Sequence, residues 1–101
     1  MPRDPFARLE AARALLDAGR PDRALDLLGG GFPAAAAGEA ALLRGEALRG
    51  RGFFRRAQAA YRAALGRLGP EDRDLRGEAE LGLVRCARSL GETADARRAL
   101  A

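Results

Sequence analysis

The sequence predicts an all-α chain of stacked antiparallel helical hairpins, and three observations carry that prediction. The first is the residue alphabet: 24 of the 101 residues are Ala and 16 are Leu, against one Val, no Ile and five aromatics. Strong helix formers dominate and strand formers are nearly missing. The second is a repeat. Ala12, Leu15, Gly19 and Ala24 recur 33 positions later as Gly45, Leu48, Gly52 and Ala57, and Gly91 and Ala96 follow Gly52 and Ala57 by 39. The third is punctuation: Gly19, Gly52 and Gly91 each end a helical pattern, as suits a residue that accepts the left-handed conformation after a helix. A chain of 101 residues holds one domain with one modest core.

Each element follows in order. Phe6, Leu9, Ala12, Leu15 and Leu16 keep helical spacing, with Asp4 as N-cap and Pro5 at the first helical position. Pro21 and Asp22 start a short second helix through Ala24, Leu25, Leu27 and Leu28, which Gly29-Gly30-Gly31-Phe32-Pro33 closes. The second unit has a first helix through Leu42, Leu43, Ala47 and Leu48, a break at Gly50-Arg51-Gly52, and a second helix through Phe54, Ala57, Tyr61, Ala64 and Leu65. A polar connector from Gly66 to Asp74 leads to a long helix through Leu75, Leu81, Leu83, Val84, Ala87 and Leu90, and a final short helix is expected from about Thr93. The repeats divide as about 5–37, about 38–71 and about 77–101, the last incomplete.

Composition narrows function. One cysteine, Cys86, and no His exclude a disulfide framework and a Cys/His metal site, and no cofactor motif is present. Gly29-Gly30-Gly31 follows a helix and lacks the Lys and Ser/Thr of a phosphate loop. With no His, no Lys and one each of Ser and Thr, an enzyme is not expected. The longest uncharged run, Leu27 to Gly38, is far short of the ~20 residues of a membrane span. The opening residues lack the apolar core of a secretory signal, so a cytoplasmic setting is expected. The absence of Lys, Ile and Asn, whose codons are A- and T-rich, points to a GC-rich bacterial genome. Net charge is +4 with every cation an Arg, but 14 acidic residues are interspersed. That pattern reads as a mixed surface more than a phosphate track.

The residues resemble the tetratricopeptide repeat family, helix-turn-helix units of about 34 residues. Unit two carries the resemblance through Gly45, Leu48, Gly52, Phe54, Ala57, Tyr61, Ala64 and Leu65. Unit one does so through Ala12, Leu15, Gly19, Ala24 and Leu28, and unit three through Leu83, Val84, Ala87, Gly91, Ala96 and Leu100. The resemblance implies a right-handed superhelical stack, with small residues at Ala12, Gly45, Ala24, Ala57 and Ala96 where helices approach closely. It also implies a scaffold that binds a peptide or helix of a partner protein in a concave groove lined by the first helix of each unit.

Carried over position by position, that groove receives Phe6, Leu9, Arg13 and Leu16 from unit one. Unit two supplies Glu39, Leu42, Glu46 and Arg49, and unit three supplies Glu78, Leu81, Arg85 and Arg88. Leu9, Leu42 and Leu81 share one slot and form an apolar stripe, and the four Arg are forks for an acidic or amphipathic segment. A plainer reading packs those Leu between helices and pairs the Arg with Glu on the same face. The clamp by which one subfamily holds chaperone tails falls on Leu9, Arg13, Leu43, Glu78 and Gly82, where only Arg13 is suitable, and is rejected. Two alternatives stand beside the scaffold: an Arg-dependent nucleic-acid module, against which Glu39, Glu46 and Glu78 argue, and self-association through the incomplete C-terminal edge. Phe53 is expected to be exposed in its turn, and Cys86 to be a buried, inert thiol.

Overall fold

The computed structural model describes residues 3–91 and is all-helical over them. Five helices run in order: α1 (Pro5–Asp17), α2 (Pro21–Leu28), α3 (Ala34–Gly50), α4 (Phe54–Arg67) and α5 (Arg73–Leu90). The helix expected from Thr93, with the repeat positions Ala96 and Leu100, lies outside the described residues.

Local chemistry sets the helix ends. Asp4 accepts a hydrogen bond from the Phe6 amide at 2.9 Å while Pro5 occupies the first turn, as expected from sequence. The turns after α1 and α3 are copies of one another. Arg20 N donates to Leu15 O at 2.7 Å and Gly19 N to Leu16 O at 3.0 Å; 33 residues on, Phe53 N donates to Leu48 O at 2.9 Å and Gly52 N to Arg49 O at 3.0 Å. This paired return of amides to the last helical carbonyls requires a left-handed residue, and Gly19, Gly52 and Gly91 have φ of 74°, 82° and 67°. The 33-residue spacing is therefore a repeat of backbone geometry as well as of composition.

Helix α3 is the centre of the stack. Ala36, Ala40, Leu43 and Ala47 pack on one side with Leu9 and Ala12 of α1 and Ala24, Leu27 and Leu28 of α2. From the other side Ala41, Leu42 and Leu48 pack with Ala57, Tyr61 and Ala64 of α4 and Ala79 and Cys86 of α5. A helix with buried apolar residues on two sides belongs between neighbours, and this one joins two clusters that neither neighbouring hairpin completes alone, while Glu39, Glu46 and Arg49 keep a further face polar. Ala12, Ala24 and Ala57 are fully buried, and Gly45 lies against the Tyr61 ring, as the small-residue positions require.

One loop differs in detail from the sequence expectation. Helix α4 extends through Gly66 to Arg67 and α5 begins at Arg73, so the connector is only residues 68–72. Arg76 of α5 shortens it by donating to the carbonyls of Leu65 and Leu68, each at 3.0 Å. The loop after α2 is held by Arg8 of α1, which donates to Leu27 O at 2.9 Å and Gly29 O at 2.7 Å and lies 4.1 Å above the Phe32 ring. Arg44 of α3 donates to Leu28 O at 2.8 Å. The last turn of α2 has no basic residue of its own, so cations from both neighbouring helices satisfy its terminal carbonyls.

Candidate partner-binding groove

Curvature follows from which helices touch. The odd-numbered helices form a continuous row, α1 against α3 and α3 against α5, while α2 and α4 each pack on their neighbours in sequence and not on each other. The row of odd helices is thus the inner, concave side.

A hollow of about 540 Å³ opens there, and α1, α3 and α5 all contribute to its walls. Of the positions proposed from sequence, Arg13, Leu16, Glu46, Arg49, Glu78, Leu81 and Arg85 line it. Phe6, Leu9 and Glu39 lie with Arg13 around a second hollow of about 370 Å³ at the α1 end. Arg88 is exposed and lines neither. The sequence reading missed Asp17, Pro21 and Leu43, which complete the larger wall.

The apolar stripe is not formed. Leu42 is fully buried and Leu9 is 2% exposed, while Leu81 is 47% exposed. The shared slot is an interhelix packing position, covered in units one and two; on α5, the last described helix, Leu81 is left open. Leu43, not Leu42, reaches the hollow, because apolar residues packed on two sides of α3 leave its rotation undefined by pattern alone.

Charge in the hollow is largely internal. Arg13 pairs with Glu39 of α3 at 3.5 Å and with Glu78 of α5 at 3.3 Å, so one guanidinium spans three helices. Arg49 donates from Nε to the Tyr61 hydroxyl at 3.0 Å and from Nη2 to Glu46 at 2.5 Å. Burial works against the Arg49 charge, but the bonds to Tyr61 and Glu46 outweigh it and hold its proton more tightly than usual. Burial likewise pushes the Tyr61 phenol well above its ordinary range, with Arg49 opposing. Two of the four expected forks are therefore occupied by the chain's own carboxylates. Arg85 has no ion-pair or hydrogen-bond partner among the described residues.

Cys86 is buried beneath this network, and burial raises its thiol pKa, which suppresses the reactive thiolate. Among the described residues no three metal-ligating side chains converge, and no helix is long and apolar enough to cross a membrane.

The curved row of hairpins defines a helical-repeat scaffold. The family model of the tetratricopeptide repeat-like domain matches residues 3–82, and the chain belongs to that family, a class of scaffold for protein–protein interaction. No curated protein and no solved structure matches the chain.

Proposed function

We propose that the chain captures a segment of a partner protein in the hollow between α1, α3 and α5. The observation that carries this reading is the juxtaposition of exposed Leu81 with Arg85 on one wall, facing Leu16 and Leu43 across a hollow large enough for several side chains. An apolar side chain of the partner would seat against Leu81 and Leu16, and a carboxylate beside it would meet Arg85 without displacing an existing pair. Arg13 and Arg49 shape the hollow; binding to them would require exchange with Glu39, Glu78 or Glu46.

Selection of peptides from a displayed random library tests this. Enriched peptides should combine an apolar residue with a nearby acid, and L81D and R85E should each weaken them at least tenfold with helicity unchanged. Binding that survives both substitutions would move the site off the groove.

A further inference from the structure

The charge network of the larger hollow leaves two side chains over. Of the six charged residues on its walls, Arg13 pairs with Glu78 and with Glu39 of the neighbouring hollow, and Arg49 pairs with Glu46. Asp17 of α1 and Arg85 of α5 have no hydrogen-bond or ion-pair partner among the described residues. They are opposite in sign and belong to the two outer helices of the row, with α3 between them. Given capture of a partner segment in this hollow, on which the inference rests, we infer that the segment selected is dipolar. Its apolar residue lies between a basic residue, met by Asp17, and an acidic residue, met by Arg85.

The place of Asp17 opposes local stability. It is the final residue of α1, whose last turn holds no basic residue. A carboxylate there stands at the negative end of the helix dipole, where a cation is the favoured charge. An arriving Lys or Arg side chain would therefore gain from the carboxylate and from the helix end together. Asp17 and Arg85 are both exposed, so a partner reaches them without breaking an existing pair. Sequence that works against a helix end in this way is expected where a surface serves binding.

The surface between the two charges is apolar. Leu16 of α1, Leu43 of α3 and Leu81 of α5 line the same hollow, and Leu81 is 47% exposed. Its complement is an apolar side chain flanked by unlike charges, in a segment that crosses α3 with its base toward α1 and its acid toward α5. A uniformly acidic segment would set carboxylates against Asp17, and a uniformly basic one would set cations against Arg85. Each is penalised by like charge, which is how an exposed pair of this kind contributes specificity more than affinity. Glu46 and Glu78 offer a base no second seat, because Arg49 and Arg13 already occupy them.

Selection from a displayed random peptide library on the parent, D17N, R85Q and the charge-swapped D17R/R85D tests the proposal. The parent pool should be enriched in a base and an acid about an apolar residue. The D17N pool should keep the acid and lose the base, and the R85Q pool should do the reverse. In fluorescence anisotropy, alanine in place of the base of a parent-selected peptide should weaken binding to the parent about two- to fivefold and leave binding to D17N unchanged. The same peptide with its base and acid exchanged should prefer D17R/R85D, which should keep the helicity of the parent because both positions are exposed. A parent pool with no preference for a base, or a base whose loss weakens binding to D17N as much as to the parent, would overturn dipolar selection and leave capture by the groove intact. No enrichment on the parent, or peptides indifferent to L81D, would remove capture by the groove and dipolar selection with it. Polyglutamate that competes as well as the selected peptide would make the occupant a polyanion. A parent that light scattering finds dimeric, with L81D monomeric, would make it a second copy; either result overturns the proposal.

Discussion

The ring of Tyr61 fills the space where a side chain on Gly82 would begin: a Cβ at Gly82 would come within 2.3 Å of the ring, and a Cβ at Gly45 within 2.9 Å of it. One aromatic from α4 is thus seated against two glycines on α3 and α5. The Arg49 hydrogen bond to its hydroxyl, at 3.0 Å, holds the far end of the same ring.

The substitution G82A should therefore destabilise the protein by about 1–3 kcal/mol, overpacking outweighing the gain in helix propensity. On the same helix Gly77 has nothing within 4 Å, and G77A should stabilise by roughly 0.5–1 kcal/mol. Urea denaturation of the two variants checks the pair; equal effects would mean that Tyr61 does not occupy this seat.

Stability should decline in alkali. Burial raises the Tyr61 and Cys86 pKa values in the folded state, whereas the unfolded chain ionises them near about 10 and about 8.5. The unfolded state releases these protons first, so their contribution is complete below about pH 8 and is lost as pH rises toward the folded-state values. The chain has a single tyrosine, so absorbance at the phenolate band reports Tyr61 alone. Its titration midpoint should lie above that of free phenol and coincide with loss of helicity, and Y61F should flatten the profile above pH 10.

Removal of Arg8 should loosen the junction between the first and second hairpins. Its guanidinium binds the Leu27 and Gly29 carbonyls and covers Phe32, so R8A should cost about 2 kcal/mol. Lys at this position has the charge but not the fork, and R8K should recover less than half of the loss. Amide exchange should rise in residues 27–33 and remain unchanged in α4.

Equivalent leucines should behave oppositely. Leu42 is fully buried, and L42A should cost about 2–5 kcal/mol. Leu81, 39 positions later in the same slot, is half-exposed, and L81A should stay within about 0.5 kcal/mol of the parent. Thermal and urea midpoints measured together decide between this assignment and an exposed stripe.

Features with short-range causes were legible before any coordinates. The Asp4 cap, Pro5 in the first turn and the turn glycines at Gly19, Gly52 and Gly91 follow from neighbours within one or two helical turns, and the buried Ala12, Ala24 and Ala57 were readable from the 33-residue repeat. They suffice to define helices, a repeat length and the family. The exposed Phe53 and the buried Cys86 were also readable, from their places in the repeat.

Long side chains and helix rotation were not legible. Arg8, Arg44 and Arg76 read as surface charge in sequence, yet each closes the carbonyl end of another helix, because a flexible guanidinium takes whichever acceptors packing brings within reach. The choice of Leu43 over Leu42 for the hollow depends on how α3, with apolar residues packed on two sides, is turned between two hairpins. The seat of Tyr61 against Gly82 joins residues 21 apart on different helices. Backbone hydrogen bonding and glycine stereochemistry act locally and so are written in residue order; the rotation of a helix and the partner of an arginine are settled only when hairpins stack and compete for the same buried space.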